Sequence, residues 1–501
     1  MTRPASREDE APRVGRVRLD GNRLDVNGST FPLRWAGLPY WTVPPGAWGD
    51  ILSRPVELGF RLLRLDIPWG LHEGAPGTYD WGKGSPGRDV PRLLRLSHRF
   101  GLFVLLNPGP WIGSSFPNGG IPPRLTTDVM CARTADGRAC PFPSVASKEF
   151  AEEARRWLRE VASLARDHLY PNGAVVGWIV GGVAPDGSRG GLLDHSAHAS
   201  RFLARYLSVK YGEVSGSPAS SPQREIDRVE AGEVASRLVL DWAEELHTGA
   251  ERLPLIAEVM DHPLGAGGDV AGLRGNAGGA VLVRPSGPLD YATVRMLGLR
   301  VSGLPATAGI SRLVGARALE RPLGLDLAFE MAVLAMSGVR AFGLRDLTGA
   351  GELREAPLGD DGEPTMTGAR IRELLRSLDA IDHPALSRRV DCLLLANREL
   401  ARLREARVLD VPLPSDLGSP RVVDLLRSAD AVPRPGDCPV VDHDLVFDAI
   451  SDGLRAAAIP FGVADTSLPD GSLAGARVLF LVGFDRMSRA LAQRLFTWVE
   501  A

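Results

Sequence analysis

Apolar, β-branched runs recur along the chain up to residue 347, separated by stretches whose apolar residues return every three or four positions. The runs are PLRWAGLPYW (32–41), FRLLRLDIPW (60–69), GLFVLLNPGPW (101–111), AVVGWIV (174–180), LPLIAEVM (253–260), GAVLVRPSG (279–287), LPATAGI (304–310) and GVRAFGLRDL (338–347). Among the intervening stretches, SKEFAEEARRWLREVASLARDHL (147–169) and SRLVLDWAEELHTGAERL (236–253) read as amphipathic helices. A strand covered on both faces must be apolar at nearly every position, and alternation with helices makes its sheet parallel. Eight such strands predict a (β/α)8 TIM barrel, with any site built at the C-terminal strand ends. A doubly wound sheet would want a glycine-rich phosphate loop early in the chain, and none occurs.

The pattern breaks at DAIDHPALSRR (379–389) and restarts with VDCLLLANREL (390–400). A helix and strand, VFDAISDGLRAAAIPFGVADT, and a strand and helix, ARVLFLVGFDRMSRALAQRLFTWVEA, follow. This predicts a smaller doubly wound, flavodoxin-like α/β domain over 390–501. It reads as incomplete, because the pattern stops on a helix at Ala501 with no closing strands. The polar, charged residues 1–15 predict a disordered N-terminus, which leaves 16–385 for the barrel domain.

Composition narrows the function. The 501 residues are 44% hydrophobic, enough for a sizeable core, and the net charge of −3 gives no reason to expect nucleic acid as a partner. No apolar run reaches the roughly 20 residues of a membrane helix. The first residues lack the apolar core of a secretory signal, so the expected location is cytoplasmic, with no membrane partner. Cys131 and Cys140 bracket CARTADGRAC and are read as free thiols in that compartment. No CxxC, HExxH or EF-hand spacing is present, so no metal or other cofactor is expected.

Four segments, in order, resemble the catalytic barrel of β-galactosidases of glycoside hydrolase family 35, and more distantly family 42. LDGNRLDVNGSTFPLRWAGLPYW is similar to the family's opening strands, with Gly37 and Tyr40 in its "SGE-HY" region. WGLHEGAPGTYDW is similar to "WN-HEP-PG-YDF" through Trp69, His72, Glu73, Gly77, Tyr79 and Asp80. NPGPWIGSSFPNGGIPPRL is similar to "RPGPYICAEW-NGGLPAWL", and EAPLGDDGEPTMTGARIRELLRSL to the stretch that closes the barrel. The resemblance covers about Arg16 to Leu378. The domain after it resembles the amidotransferase-like domain of family 42, which suggests homo-oligomerisation.

The resemblance implies a carbohydrate ligand, a β-galactoside in particular, and catalytic glutamates at set positions. There the chain departs. In the family the fourth strand ends in "VENEYG", whose second glutamate is the acid/base. Here Val180-Gly181-Gly182-Val183-Ala184 puts Val183 at that position. The nucleophile's place falls near Gly309, within PATAGISRLVG, and Ser115 replaces a sugar-holding glutamate. A retaining glycosidase needs two carboxyl groups about 5–5.5 Å apart. Valine and glycine supply neither.

Other carboxylates could stand in. Glu258 falls at the end of the fifth strand, where a carboxylate in a barrel has functional weight. Asp66 and Asp346 fall near the ends of the second and eighth strands, where Asp66 beside Arg64 and Asp346 beside Arg345 read first as ion pairs at the barrel rim. The His72–Glu73 pair reads as a loop brace, and His195 and His198 as chance spacing. Tyr40, Trp41, Trp69 and Trp111 suit a sugar-stacking platform, with Asn107 at the rim, while Trp178 reads as core. The leading expectation is a catalytically degenerate, glycan-binding barrel with Tyr40, Asp66, Trp69, Asn107, Trp111, Ser115 and Asp346 around the ligand. The alternatives are an active retaining hydrolase using Glu258 with Asp66 or Asp346, and a non-catalytic assembly module.

Overall fold

The computed structural model describes residues 16–112, 116–127, 129–134, 137–180, 194–212, 221–247, 252–261, 280–285, 299, 308–313, 327–349, 356–359, 361–400, 402–403, 439–466, 473, 475–482, 487 and 489–500. The expected N-terminal disorder lies outside these residues.

Eight parallel strands close into a barrel: β1 (Arg34–Gly37), β2 (Leu62–Asp66), β3 (Phe103–Asn107), β4 (Val175–Val180), β5 (Leu255–Asp261), β6 (Ala280–Pro285), β7 (Ala308–Leu313) and β8 (Ala341–Leu344). The barrel is shut by β8 against β1, with Phe342 opposite Arg34 and Gly343 opposite Trp35. That seam depends on glycine. A Cβ on Gly343 would lie 1.9 Å from the Trp35 ring, and one on Gly37 would lie 2.1 Å from the Arg345 carbonyl oxygen. The strands are buried along their length in β1 and β4, as their unbroken apolar sequences require.

Helices cover the outside. Lys148–Ala165 starts at Ser147, whose hydroxyl accepts the Phe150 N–H, and buries Phe150, Trp157, Leu158 and Val161 on one face. Val90–Arg99 is capped by Asp89 in the same way and buries Val90, Leu93, Leu94 and Ser97. A three-stranded antiparallel sheet (Val17–Asp20, Arg23–Val26, Ser29–Pro32) precedes the barrel. Its Phe31 packs 5.3 Å from Phe103, the first residue of β3, so this sheet covers the N-terminal end of the barrel.

Two expected elements differ. The helix expected over 236–253 is two short pieces, Leu238–Trp242 and a 3₁₀ turn Ala243–Leu246, behind a separate helix Ser221–Ser236. The seventh strand starts at Ala308 and runs to Leu313, not over 304–310. Its ladder pairs Gly309 with Leu282 and Leu313 with Leu344, with a register shift between Ile310 and Leu313, at polar Ser311 and Arg312 where the apolar run ends.

After the barrel, β9 (Cys392–Ala396) lies between β10 (Phe461–Asp465) and β11 (Val478–Leu481) in a parallel sheet. Cys392, Leu394, Leu454, Phe461 and Val463 form its core. It is tied to the barrel part through Glu233, which accepts from Arg398 and, at 2.8 Å, from Arg402, beside an apolar contact of Ile226 with Leu400 and Leu403. Among the described residues, no helix is long and apolar enough to cross a membrane.

Candidate functional site

Arginine 64 is the hub of the barrel interior. Arg64 and Asp66 are two apart on β2 and therefore share a face. The Arg64 Nε–H donates to Asp66 Oδ1 at 2.7 Å. Its Nη1 and Nη2 donate to the two oxygens of Glu258, on β5, at 2.5 and 3.2 Å. Asn107, at the end of β3, donates to the same Asp66 Oδ1 at 2.7 Å and accepts from the Gly109 N–H at 3.1 Å. Two strands far apart in sequence, β2 and β5, thus meet on one guanidinium, and β3 joins them through Asp66. The side chains of Arg64 and Glu258 are 5% and 1% exposed, that of Asp66 14%. Burial alone would lower the Arg64 pKa, but Asp66 and Glu258 outweigh it, and the guanidinium is held charged well above its ordinary value.

This ion pair defines what Glu258 can do. A carboxylate that accepts two guanidinium bonds is an acceptor with no proton to give. Glu258 also lies mid-strand, opposite Leu282, and β5 continues to Asp261, so it is not at the strand end where sequence reading put it. Yet Glu258 and Asp66 share one guanidinium, which brings two carboxylates together in the barrel.

Above them is a small cleft lined by Gly37, Leu38, Pro39, Trp41, Arg64, Asp66 and Arg345. Asp66 spends Oδ1 on Arg64 and Asn107, and its Oδ2 has no hydrogen-bond partner among the described residues. The partly exposed Trp41 stands edge-on to Tyr40 at 5.3 Å and to Phe116 at 5.8 Å. Asp346, next to Arg345, accepts the Thr348 N–H at 2.9 Å and so holds the turn after β8.

Apart from Trp41, the expected aromatic platform is core instead. Tyr40 and Trp69 have no exposed surface and Trp111 is 5% exposed, so none offers a face to a ligand. Trp69 stacks flat on Trp157 at 5.7 Å, and Trp81 stacks on His72 at 4.4 Å. Sequence similarity marked these positions, but the rings fill the space between the barrel wall and the helix Lys148–Ala165. Asn107, expected at the rim, is likewise fully buried beneath Asp66. Trp178 is core, as read.

His72 sits inside this stack. Its Nδ1–H donates to the Asp80 carbonyl at 2.8 Å, and its Nε2 accepts from the Tyr40 hydroxyl at 2.6 Å. Burial, with a smaller push from Arg88, lowers its pKa to about 4 against the pull of the Asp80 carbonyl. Burial raises the Tyr40 hydroxyl well above its usual value, which keeps it a donor. Glu73 is held by Arg124 at 2.7 and 2.8 Å and accepts the Gly77 N–H. Both residues therefore brace the loop after β2.

The remaining candidates scatter. Gly309 is the second residue of β7, near its start, so the strand end that would carry a nucleophile lies beyond it. Val183 and Ser115 lie outside the described residues. His195 meets Arg228, and His198 meets the Val129 carbonyl and Arg201. No group of three metal-ligating side chains occurs among the described residues. Cys131 and Cys140 form no disulfide among the described residues and are buried on a short antiparallel pair of strands, and burial pushes the Cys140 thiol up to about 12. Sequence reading missed the hub role of Arg64, the place of Arg345 in the cleft and the contact of Phe116 with Trp41. Only the Arg-x-Asp spacing on one strand could have signalled the first.

The profile of Glycosyl hydrolases family 35 matches residues 23–180, which include the first four barrel strands. An exo-beta-D-glucosaminidase of Pyrococcus horikoshii is 32% identical over 166 residues, 32% of this chain and 20% of that protein. A beta-galactosidase of Homo sapiens is 29% identical over 151 residues, 30% of this chain and 20% of that protein. The match thus spans about a fifth of these relatives' length. In three dimensions the chain is similar to a beta-galactosidase from the psychrophilic Marinomonas ef1, with 93% of this chain and 74% of that chain covered, a TM-score of 0.67 and 13% identity. A beta-galactosidase from Halorubrum lacusprofundi gives the same TM-score at 15% identity, covering 93% of this chain and 71% of its own. The chain is therefore similar to glycosyl hydrolases of family 35 over residues 23–180, and its barrel has the fold of the beta-galactosidases.

Proposed function

We propose that the barrel mouth binds a carbohydrate and that the chain is a catalytically degenerate relative of the β-galactosidases. The observation that carries this reading is Asp66 Oδ2, which has no hydrogen-bond partner among the described residues, in a cleft beside Trp41. Asp66 is oriented by Arg64 and Asn107, so its second oxygen is a fixed acceptor for a sugar hydroxyl. Trp41 offers part of an aromatic ring to the apolar face of a sugar. The relatives' names, β-galactosidase and exo-β-D-glucosaminidase, make galactose and glucosamine the first ligands to try. The degeneracy is supported by Val183 at the family acid/base position and by Arg64 holding Glu258 as a charged acceptor. Calorimetric titration of both sugars, with wild type and Asp66→Asn, tests the proposal. The account expects binding by wild type and at least a tenfold loss in the variant; absence of wild-type binding would sink it.

One observation favours a second reading. Asp66 and Glu258 share a guanidinium, so their separation is compatible with a retaining pair. In that reading the proton donor is Asp66, the more exposed of the two, and Glu258 is the nucleophile. It requires turnover of an aryl β-galactoside that both Asp66→Asn and Glu258→Gln abolish. The sheet β9–β11 supports a flavodoxin-like or amidotransferase-like domain over 390–501 after a barrel domain ending at 385, through its order with the first strand central. Homo-oligomerisation through that sheet is a separate proposal, read out by light scattering with and without residues 390–501.

A further inference from the structure

The helix Val90–Arg99, which follows β2, turns a row of cations outward. It buries Val90, Leu93, Leu94 and Ser97, so Arg92, Arg95 and Arg99 fall together on its opposite side. By helical rise, Arg95 and Arg99 lie about 4.5 and 10.5 Å from Arg92 along the axis. The 3₁₀ turn Arg166–His168 adds to the same surface, since the charge on Arg95 is felt at His168, together with that on His98. Arg95, His98, Arg99 and Arg166 are exposed. Unlike most arginines of the barrel, none of these has an ion-pair or hydrogen-bond partner among the described residues. The carboxylate that reaches His168 is Asp167 alone.

Local roles account for part of the row. Arg92 lies 5.5 Å from the centre of the Trp48 ring and Arg99 lies 5.9 Å from that of Phe100. His98 and Arg99 also suit the negative end of the helix dipole. Neither explanation reaches Arg95 or Arg166, which have no ion-pair partner among the described residues.

We propose that this surface binds an anionic polysaccharide, a carbohydrate chain carrying repeated carboxylate or sulfate groups. The planar guanidinium fork matches such oxyanions in two-point contacts. A net charge of −3 for the whole chain works against a densely charged duplex, with about one charge per 1.7 Å, more than against a sparsely charged chain. The rings beside the row, Trp48 and Phe100, are covered by Arg92 and Arg99, which leaves them unsuited to stacking bases. The site is on a helix outside the barrel, apart from the cleft at Asp66, and does not depend on the function assigned there.

The test uses the full chain at low and moderate salt, with polygalacturonate as the carboxylate probe, heparin as the sulfate probe and duplex DNA as a third polyanion. Affinities are compared for wild type, for Arg95→Ala/Arg99→Ala/Arg166→Ala, and for a control triple Arg205→Ala/Arg372→Ala/Arg376→Ala on the helices Ala197–Tyr211 and Met366–Ala380. The proposal expects at least one polysaccharide to bind wild type, more weakly as salt rises, with a loss of tenfold or more in the first triple and none in the control. The probe that binds tells carboxylate from sulfate recognition. Unchanged melting temperatures show that both triples are folded, since all six positions are on the surface. The proposal is overturned if neither polysaccharide binds, if the control loses as much as the first triple, or if DNA binds as tightly as the polysaccharide.

Discussion

A buried guanidinium with two carboxylates is stable only as a set, because each ion's desolvation is offset by the others. Arg64→Met leaves Asp66 and Glu258 facing each other, and the expected cost is about 3–5 kcal/mol, read as a drop in the urea midpoint at neutral pH. Asp66→Asn is milder, since the amide oxygen can still accept from Arg64 and Asn107; a loss within about 1–2 kcal/mol is expected, separable from any effect on ligand binding. His72 makes a pH-dependent contribution. Its pKa is about 4 in the fold against 6.5 for the free side chain, so the unfolded chain binds the extra proton between those values. That contribution is complete above pH 6.5 and is lost as pH falls toward 4, with a slope of at most about 1.4 kcal/mol per pH unit. His383, also lowered to about 4 by burial beside Arg340 and Arg34, acts in the same direction. Stability curves of wild type and His72→Gln between pH 4 and 7 check this: the variant's curve should be flatter, and an identical slope contradicts it. Little of this chemistry was legible in the sequence. The pairing of Asp66 with Arg64 was legible from their spacing, but nothing in the sequence announces that Glu258 meets the same guanidinium.

The strands were easier to read than their ends. β4 is apolar at each residue from Val175 to Val180 apart from Gly177, and its expected and observed limits agree to within one residue. β7 slipped because Ser311 and Arg312 interrupt its apolar run, while the strand resumes its pairing at Leu313 after a register shift. That slip carried Gly309 from the expected strand end to a position near the strand start. The glycines of the closing seam gave no sequence signal of their own, since only the meeting of β8 with β1 makes Gly343 a platform for Trp35. Gly343→Ala should therefore lower stability by about 1–3 kcal/mol or more through overpacking. Gly46→Ala, where nothing lies within 4 Å of an added Cβ, is the matched control and should be close to neutral. Equal melting temperatures for the two variants would show that the seam is looser than described.

At the scale of the molecule, the alternation of strands and helices was enough to foresee the closed barrel and the parallel sheet behind it. The site was harder, because it is assembled from β2, β3 and β5 with the turns after β1 and β8, and sequence order says nothing of which side chains converge. The aromatic positions show the same limit: similarity located Tyr40, Trp69 and Trp111 correctly on the chain, but only packing reveals that they are interior. The join between the barrel and the C-terminal sheet rests on Glu233 with Arg398 and Arg402. Glu233→Lys should loosen that join and speed limited proteolysis between residues 380 and 392, against unchanged cleavage elsewhere. The central claim, a glycosidase-like barrel whose carboxylates hold a ligand without cleaving it, meets its most direct test in hydrolysis of an aryl β-galactoside by purified wild type and Glu258→Gln. The account predicts no turnover by either protein above the buffer rate. Turnover by wild type that disappears in Glu258→Gln would contradict it and make Glu258 a catalytic carboxylate.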